Sequence, residues 1–261
     1  MTRNQSLIEH AVSKAPAVTL GFWIIKIACT TFGETGGDWV TMSLNLGYLA
    51  GSLIFLAGFV ALVSAQIHAR RFCPWLYWAT IIATTTLGTT LADFFDRSLG
   101  IGYPGGVSII FLLLIASLLI WYRTEGTVSV ASVTGVRVER FYWITILFSQ
   151  TLGTALGDWI AGDDRGGLGV GYEISAVIFG TGLVIVSLLW LWPRVSRTAL
   201  FWIAFILTRP LGATLGDLLD KPLAEGGLHF SRLYASAFLL VFIIGSIIVF
   251  PQRAAHHNQA I

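Results

Sequence analysis

Residues 143–159 read WITILFSQTLGTALGDW, and the chain says nearly the same thing three more times. Residues 23–39 are WIIKIACTTFGETGGDW, residues 78–94 WATIIATTTLGTTLADF, and residues 202–218 WIAFILTRPLGATLGDL. Each copy sets a tryptophan fifteen residues before an aspartate: Trp23 and Asp38, Trp78 and Asp93, Trp143 and Asp158, Trp202 and Asp217. A glycine stands five residues before each aspartate (Gly33, Gly88, Gly153, Gly212), and a glycine or alanine immediately before it (Gly37, Ala92, Gly157, Gly216). Four matches at fixed offsets define an internal repeat, which makes the fold one small unit copied.

Composition sets the medium of that repeat. Of 261 residues, 55% are hydrophobic and 11% charged, against about 25% charged in a soluble domain. Apolar runs of the roughly 17–25 residues that cross a bilayer recur along the whole length. They predict spans at 18–39, 48–67, 75–95, 104–122, 141–160, 173–192, 198–219 and 232–250. The fold class is therefore an all-α polytopic membrane protein, with eight transmembrane helices in four repeated pairs. The formal net charge of +2 gives no footprint for nucleic acid, and the lipid bilayer is the expected partner. Cys29 and Cys73 stand apart, without zinc-site spacing, and the N-terminal stretch lacks the pattern of a signal peptide.

Orientation follows from the basic residues. Arg3, Lys14, Arg70, Arg71, Arg123, Arg137, Arg140, Arg194, Arg197 and Arg253 fall at the N-terminus or after even spans. The opposite loops hold Arg97, Arg165 and Lys221, outweighed by Asp96, Asp163, Asp164, Asp220 and Glu225. Both termini are expected in the cytoplasm, with the repeat aspartates near an acidic outer mouth. The polar stretch RTEGTVSVASVTGVRVER divides the chain. The expected parts are a cytoplasmic segment 1–17, a first half 18–122, a linker 123–140, a second half 141–250 and a tail 251–261. After each of the first three aspartates comes LNLGY (44–48), LGIGY (99–103) or LGVGY (168–172), while the fourth copy reads LHFSR (228–232). These glycine-rich stretches are plain turns or short re-entrant loops framing a mouth.

Positions three, four, seven and eight apart share a helix face. From Asp38 that face carries Glu34, Thr31, Thr30 and, deeper, Lys26. From Asp93 it carries Thr89, Thr86 and Thr85; from Asp158, Thr154, Thr151 and Gln150; from Asp217, Ala213, Pro210 and Arg209. Beside each stripe runs a small-xxx-small pattern that lets helix backbones approach closely. The odd helices are expected to form an inner ring with these stripes inward, and the even helices an outer, lipid-facing ring. The tryptophans read as interfacial belts. Within the odd helices five carboxylates (Glu34, Asp38, Asp93, Asp158, Asp217) face only Lys26 and Arg209, leaving three negatives to be compensated by protons or a bound cation. Lys26 and Arg209 could pair with Glu34 or block cation leakage.

Carboxylate, hydroxyl, amide and carbonyl oxygens without a His or Cys cluster suit Mg²⁺, Ca²⁺ or Mn²⁺, with Mn²⁺ favoured. The expected metal ligands are Glu34, Asp38, Asp93, Asp158 and Asp217; Thr89, Thr154, Lys26, Arg209 and Gln150 complete the substrate or ion site. His229, in an outer loop, is the one histidine placed to touch a substrate; His256 and His257 lie in a polar tail.

The LGTTLAD, LGTALGD and LGATLGD pattern with its GxGY turn resembles a family of bacterial inner-membrane proteins. Those are built from a short repeat of unassigned function, usually in four copies. The likeness covers about residues 20–250; the first copy departs (FGETGGD) and the fourth loses the Gly-Tyr turn. It implies an integral protein of the bacterial inner membrane and supplies no activity. The residues themselves point to a transporter or exporter of a small cation, a divalent metal, rather than an enzyme. The alternatives are a membrane scaffold or sensor subunit, and a transporter of a small organic anion using Lys26 and Arg209. Nothing in the sequence specifies an oligomer.

Overall fold

The computed structural model describes residues 13–255. Arg3 and the histidines His256 and His257 lie outside the described residues. The described residues form eight long helices, four pairs in sequence: α1 (Leu20–Asp38), α2 (Gly47–His68), α3 (Pro74–Asp93), α4 (Tyr103–Glu125), α5 (Val136–Ala161), α6 (Tyr172–Leu189), α7 (Arg197–Asp220) and α8 (Arg232–Val249). Thr19 caps α1 and Ser196 caps α7, each side chain accepting a backbone N–H of the first turn. Pro74 and Pro104 sit in the first turns of α3 and α4, where a missing N–H costs nothing.

The odd helices close a ring: α1 packs on α3, α3 on α5, α5 on α7, and α7 on α1. The repeat explains the closure residue by residue. A Cβ on Gly33 would collide with Thr85, one on Gly88 with Gln150, one on Gly153 with Arg209, and one on Gly212 with Thr30. Thus the glycine five before each aspartate receives the residue eight before the next one, four times around. Close backbones permit hydroxyl bonds between helices, from Thr30 to the Thr208 carbonyl, Thr85 to that of Cys29 and Thr89 to that of Gly33, each 3.2 Å.

The even helices do not pack mainly on the odd helix of their own repeat. Each leans on the next odd helix: α2 on α3, α4 on α5, α6 on α7, and α8 back on α1. Their outward faces expose Leu53, Leu112, Val177 and Phe238, among other large apolar side chains. Among the described residues five helices, α2, α4, α6, α7 and α8, are long and apolar enough to cross a membrane by length and composition. The other three carry too many Thr, Gly and ionisable groups, because these face the ring and not lipid. Contiguous apolar surface of this extent belongs in a bilayer, and the protein is a multi-pass helical membrane protein.

One end of the ring is aromatic. Trp78, Trp143 and Trp202 are buried, which corrects the expectation that these three stand in an interfacial belt; Trp23 is only partly buried. Together with Phe22, Tyr77, Tyr142 and Phe201 they fill the ring's cross-section, with Tyr77 and Tyr142 hydroxyls 2.6 Å apart. Small residues elsewhere let four backbones approach, so these large rings are drawn inside to fill the end. The chain seals this Trp end from outside: Trp202 Nε1 donates to the Val128 carbonyl and Trp78 Nε1 to Gln252 Oε1. Lys14 pairs with Glu139 at 2.7 Å.

Candidate functional site

Residues four apart on each odd helix stack into layers along the ring axis. Two aromatic residues per helix close the Trp end, and above them lie Lys26, Ile81, Ile146 and Phe205, all without solvent exposure. Next come Thr30, Thr85, Gln150 and Arg209; then Glu34, Thr89, Thr154 and Ala213; then the four aspartates. The side chains singled out on the odd helices, Lys26, Glu34, Asp38, Thr89, Asp93, Gln150, Thr154, Asp158, Arg209 and Asp217, are all buried in this column.

Arg209 occupies its middle. Nη2 donates to Glu34 Oε2 at 3.0 Å and to the hydroxyls of Thr89 and Thr154, each at 2.5 Å. Nη1 reaches the Thr30 carbonyl at 3.3 Å. One guanidinium from α7 therefore touches all three other inner helices and stands across the axis as a plug. Pro210 follows it within the helix, and its missing N–H leaves the Ile206 carbonyl without its intrahelical donor. Of the two cations expected to meet Glu34, only Arg209 does so. Lys26 instead donates to Gln150 Oε1 at 3.4 Å and lies 4.2 Å from the centre of the Phe205 ring.

The charge count from sequence needs correction. Arg97 and Lys221, read there as loop residues, belong to the aspartate layer. Arg97 Nε is 2.5 Å from Asp93 Oδ1, and its Nη2 is 3.6 Å from Asp158 Oδ2. Lys221 Nζ is 2.5 Å from Asp38 Oδ2 and 3.0 Å from Asp217 Oδ1. Each cation stands four residues after its own aspartate and also reaches the aspartate of the next inner helix. The four aspartates thus form two bridged pairs related by a pseudo-twofold. The signal was present in DFFDR (93–97) and DLLDK (217–221), set against DWVTM (38–42) and DWIAG (158–162). The repeat alternates, and a search for fourfold identity passes over the alternation.

With Arg97, Lys221 and Arg209 assigned, the five carboxylates keep two uncompensated negatives, or one if the deeper Lys26 is counted. One of the two stands on each side: Glu34, Asp38 and Asp217 share Arg209 and Lys221, while Asp93 and Asp158 share Arg97. Glu34, Asp38 and Asp217 can each offer an oxygen so that the three lie within 4.8 Å of one another. Asp38 Oδ1 is buried and has no hydrogen-bond partner among the described residues. Asp93 and Asp158 lie on the other side with Arg97 and are not part of this triad.

Above the aspartates opens a vestibule of about 680 Å³, lined by Arg97, Asp158, Tyr103, Tyr172, Lys221 and Glu225 among others. Its walls are the glycine-rich stretches after α5 and α7. These fold back over the helix ends without re-entering the ring: Leu168 N–H donates to the Trp159 carbonyl, and Leu228 N–H to that of Leu218. Positive φ at Gly169 and Gly171 makes the first of these reversals possible. Asp163, Asp164 and Arg165 line the rim, with Arg165 bonded to Asp164. His229 is exposed and outside the vestibule lining, so the sequence expectation that it touches a substrate finds no support.

A family described as a Repeat of Unknown Function (DUF347) matches the chain four times, at residues 21–72, 76–127, 141–196 and 200–250. No curated protein and no solved structure matches. The four matches cover most of the sequence, and the chain belongs to that repeat family.

Proposed function

We propose that this member of the repeat family carries a small cation, a divalent metal of the Mg²⁺, Ca²⁺ and Mn²⁺ class, through the ring of odd helices. The observation that carries the reading is the buried triad of Glu34, Asp38 and Asp217, within 4.8 Å and with Asp38 Oδ1 unpartnered. Hard oxygen donors suit these ions, and opposite ligands around a Ca²⁺-sized ion lie about 4.6–5.2 Å apart at ligand distances of 2.3–2.6 Å. Buried carboxylates left uncompensated are costly in a bilayer, so the excess negative charge itself favours a cation. Mn²⁺ remains the favoured ion within the class.

The vestibule supplies the entry and the Arg209 plug the barrier. Movement past it requires Arg209 to leave Glu34, and the bond missing at Pro210 supplies a place for α7 to bend. Basic residues gather at the Trp end, which supports a cytoplasmic Trp end and an outward-facing vestibule. The organic-anion alternative is supported less well. Lys26 is sealed from the vestibule, and Arg209 is already committed to Glu34, Thr89 and Thr154.

The test is Mn²⁺ flux into vesicles reconstituted with the purified protein. Wild type should move Mn²⁺. Asp38→Asn, which keeps the side-chain shape, should fold and lose at least about tenfold in rate, the equivalent of about 1.4 kcal/mol. A wild type that moves none of Mn²⁺, Mg²⁺ or Ca²⁺ removes the reading. So does an Asp38→Asn protein with unchanged flux.

A further inference from the structure

The chain has three lysines, Lys14, Lys26 and Lys221. Lys14 is at the Trp end with Glu139, and Lys26 is enclosed by Gln150 and Phe205. Lys221 differs in being at once inside the acid layer and on the vestibule wall. Its ammonium rests on Asp38 and Asp217, two of the three triad carboxylates.

Its backbone is fixed. The Lys221 N–H donates to the Asp217 carbonyl, and its own carbonyl accepts from His229. The four-carbon stem is flexible and carries a compact charge, so the ammonium can move while the main chain stays. A cation that binds Asp38 and Asp217 must therefore compete with this ammonium for their oxygens.

We propose that Lys221 is a tethered competitor for the cation site: a divalent ion arriving through the vestibule binds Glu34, Asp38 and Asp217 by displacing the Lys221 ammonium toward the vestibule carboxylates. This rests on the cation reading above. Glu225, four residues on in the same loop, and Asp163 and Asp164 on the facing loop line the space that would receive the ammonium. The exchange also names a selectivity. A monovalent ion taking the place of the ammonium leaves the charge in the acid layer unchanged and still has to shed its water. A divalent ion adds one net positive charge where the layer has negatives to spare. The site should therefore discriminate against Na⁺ and K⁺ by charge before size.

The experiment uses the full chain in detergent and Mn²⁺ as the probe. By calorimetric titration Lys221→Met should bind Mn²⁺ at least about tenfold more tightly than wild type. Wild type supplies an independent readout through acylation of its lysines by an activated acetate ester, followed by peptide mass spectrometry. Saturating Mn²⁺ should raise the labelling rate of Lys221 several-fold relative to Lys14. Mn²⁺ binding with Lys221 labelling unchanged or reduced overturns the competitor and leaves the cation reading standing, as does a folded Lys221→Met protein that binds no more tightly. No Mn²⁺ binding by wild type or variant overturns the cation reading and the competitor with it.

Discussion

Asp96 shows how a single side chain can be set against its surroundings. It sits three residues past Asp93, buried beside Gly106, and neither oxygen has a hydrogen-bond partner among the described residues. Burial first, and then the negative Asp93, push its carboxyl from the ordinary 3.8 up to about 7, against the pull of Arg97 and Arg165. The folded state therefore holds this proton where the unfolded chain has already released it. Its contribution to stability falls as pH rises from about 4 to about 7 and is level above that. Asp96→Asn should accordingly raise the melting temperature at pH 8 and leave it nearly unchanged near pH 4, which a fluorescence melt across pH would measure. An equal shift at both ends would mean that Asp96 carries its charge in the fold. The same scale holds what sequence reading passed over. Arg97 and Lys221 follow an aspartate at the helical i,i+4 spacing, so their pairing with Asp93 and Asp217 was legible. Their second contacts, to Asp158 and Asp38, come from a neighbouring helix and were not.

Among the elements, the inner helices are held by what they lack. Glycines at the ring interface admit Thr, Gln or Arg from the next helix, whereas Gly58 on the outer helix α2 has no such duty. Gly153 lies against Arg209 and Pro210, but nothing lies within 4 Å of a Cβ built on Gly58 of α2. Gly153→Ala should therefore destabilise the protein by roughly 1–3 kcal/mol through overpacking, and by more if Arg209 is forced from Glu34. Gly58→Ala should be neutral or gain up to about 1 kcal/mol from helix propensity. Parallel melts of the two proteins check the contrast, and equal effects would deny the close contact at α5 and α7. The Gly and Asp offsets in the sequence named every one of these interface positions. Trp78, Trp143 and Trp202, at a matching offset, were misread, because a residue type common at lipid interfaces says nothing about whether its copies converge on one axis.

At the scale of the whole molecule, the hairpins that pack are shifted by one helix from the repeats that the sequence spells. Each even helix returns along the next odd helix, and the last, α8, completes the circle on α1. Ser236 Oγ of α8 lies 2.9 Å from Thr35 Oγ1 of α1. A Thr35→Cys, Ser236→Cys protein, with Cys29 and Cys73 replaced by serine, should form an intramolecular disulfide in the membrane, seen as a linked peptide by mass spectrometry. A chain in which α8 lay beside its own α7 and away from α1 would not. The sequence by itself determined the repeat, the eight helices, the membrane as solvent and the inward stripes, because periodicity and hydropathy are local properties that each helix carries alone. Only the tertiary structure decided which helix each even helix covers, that Arg209 spans the axis, and that Arg97 and Lys221 split four aspartates into two pairs. Those facts depend on distances between helices far apart in the chain, and such distances are set by the packing of the closed ring, which no single repeat encodes.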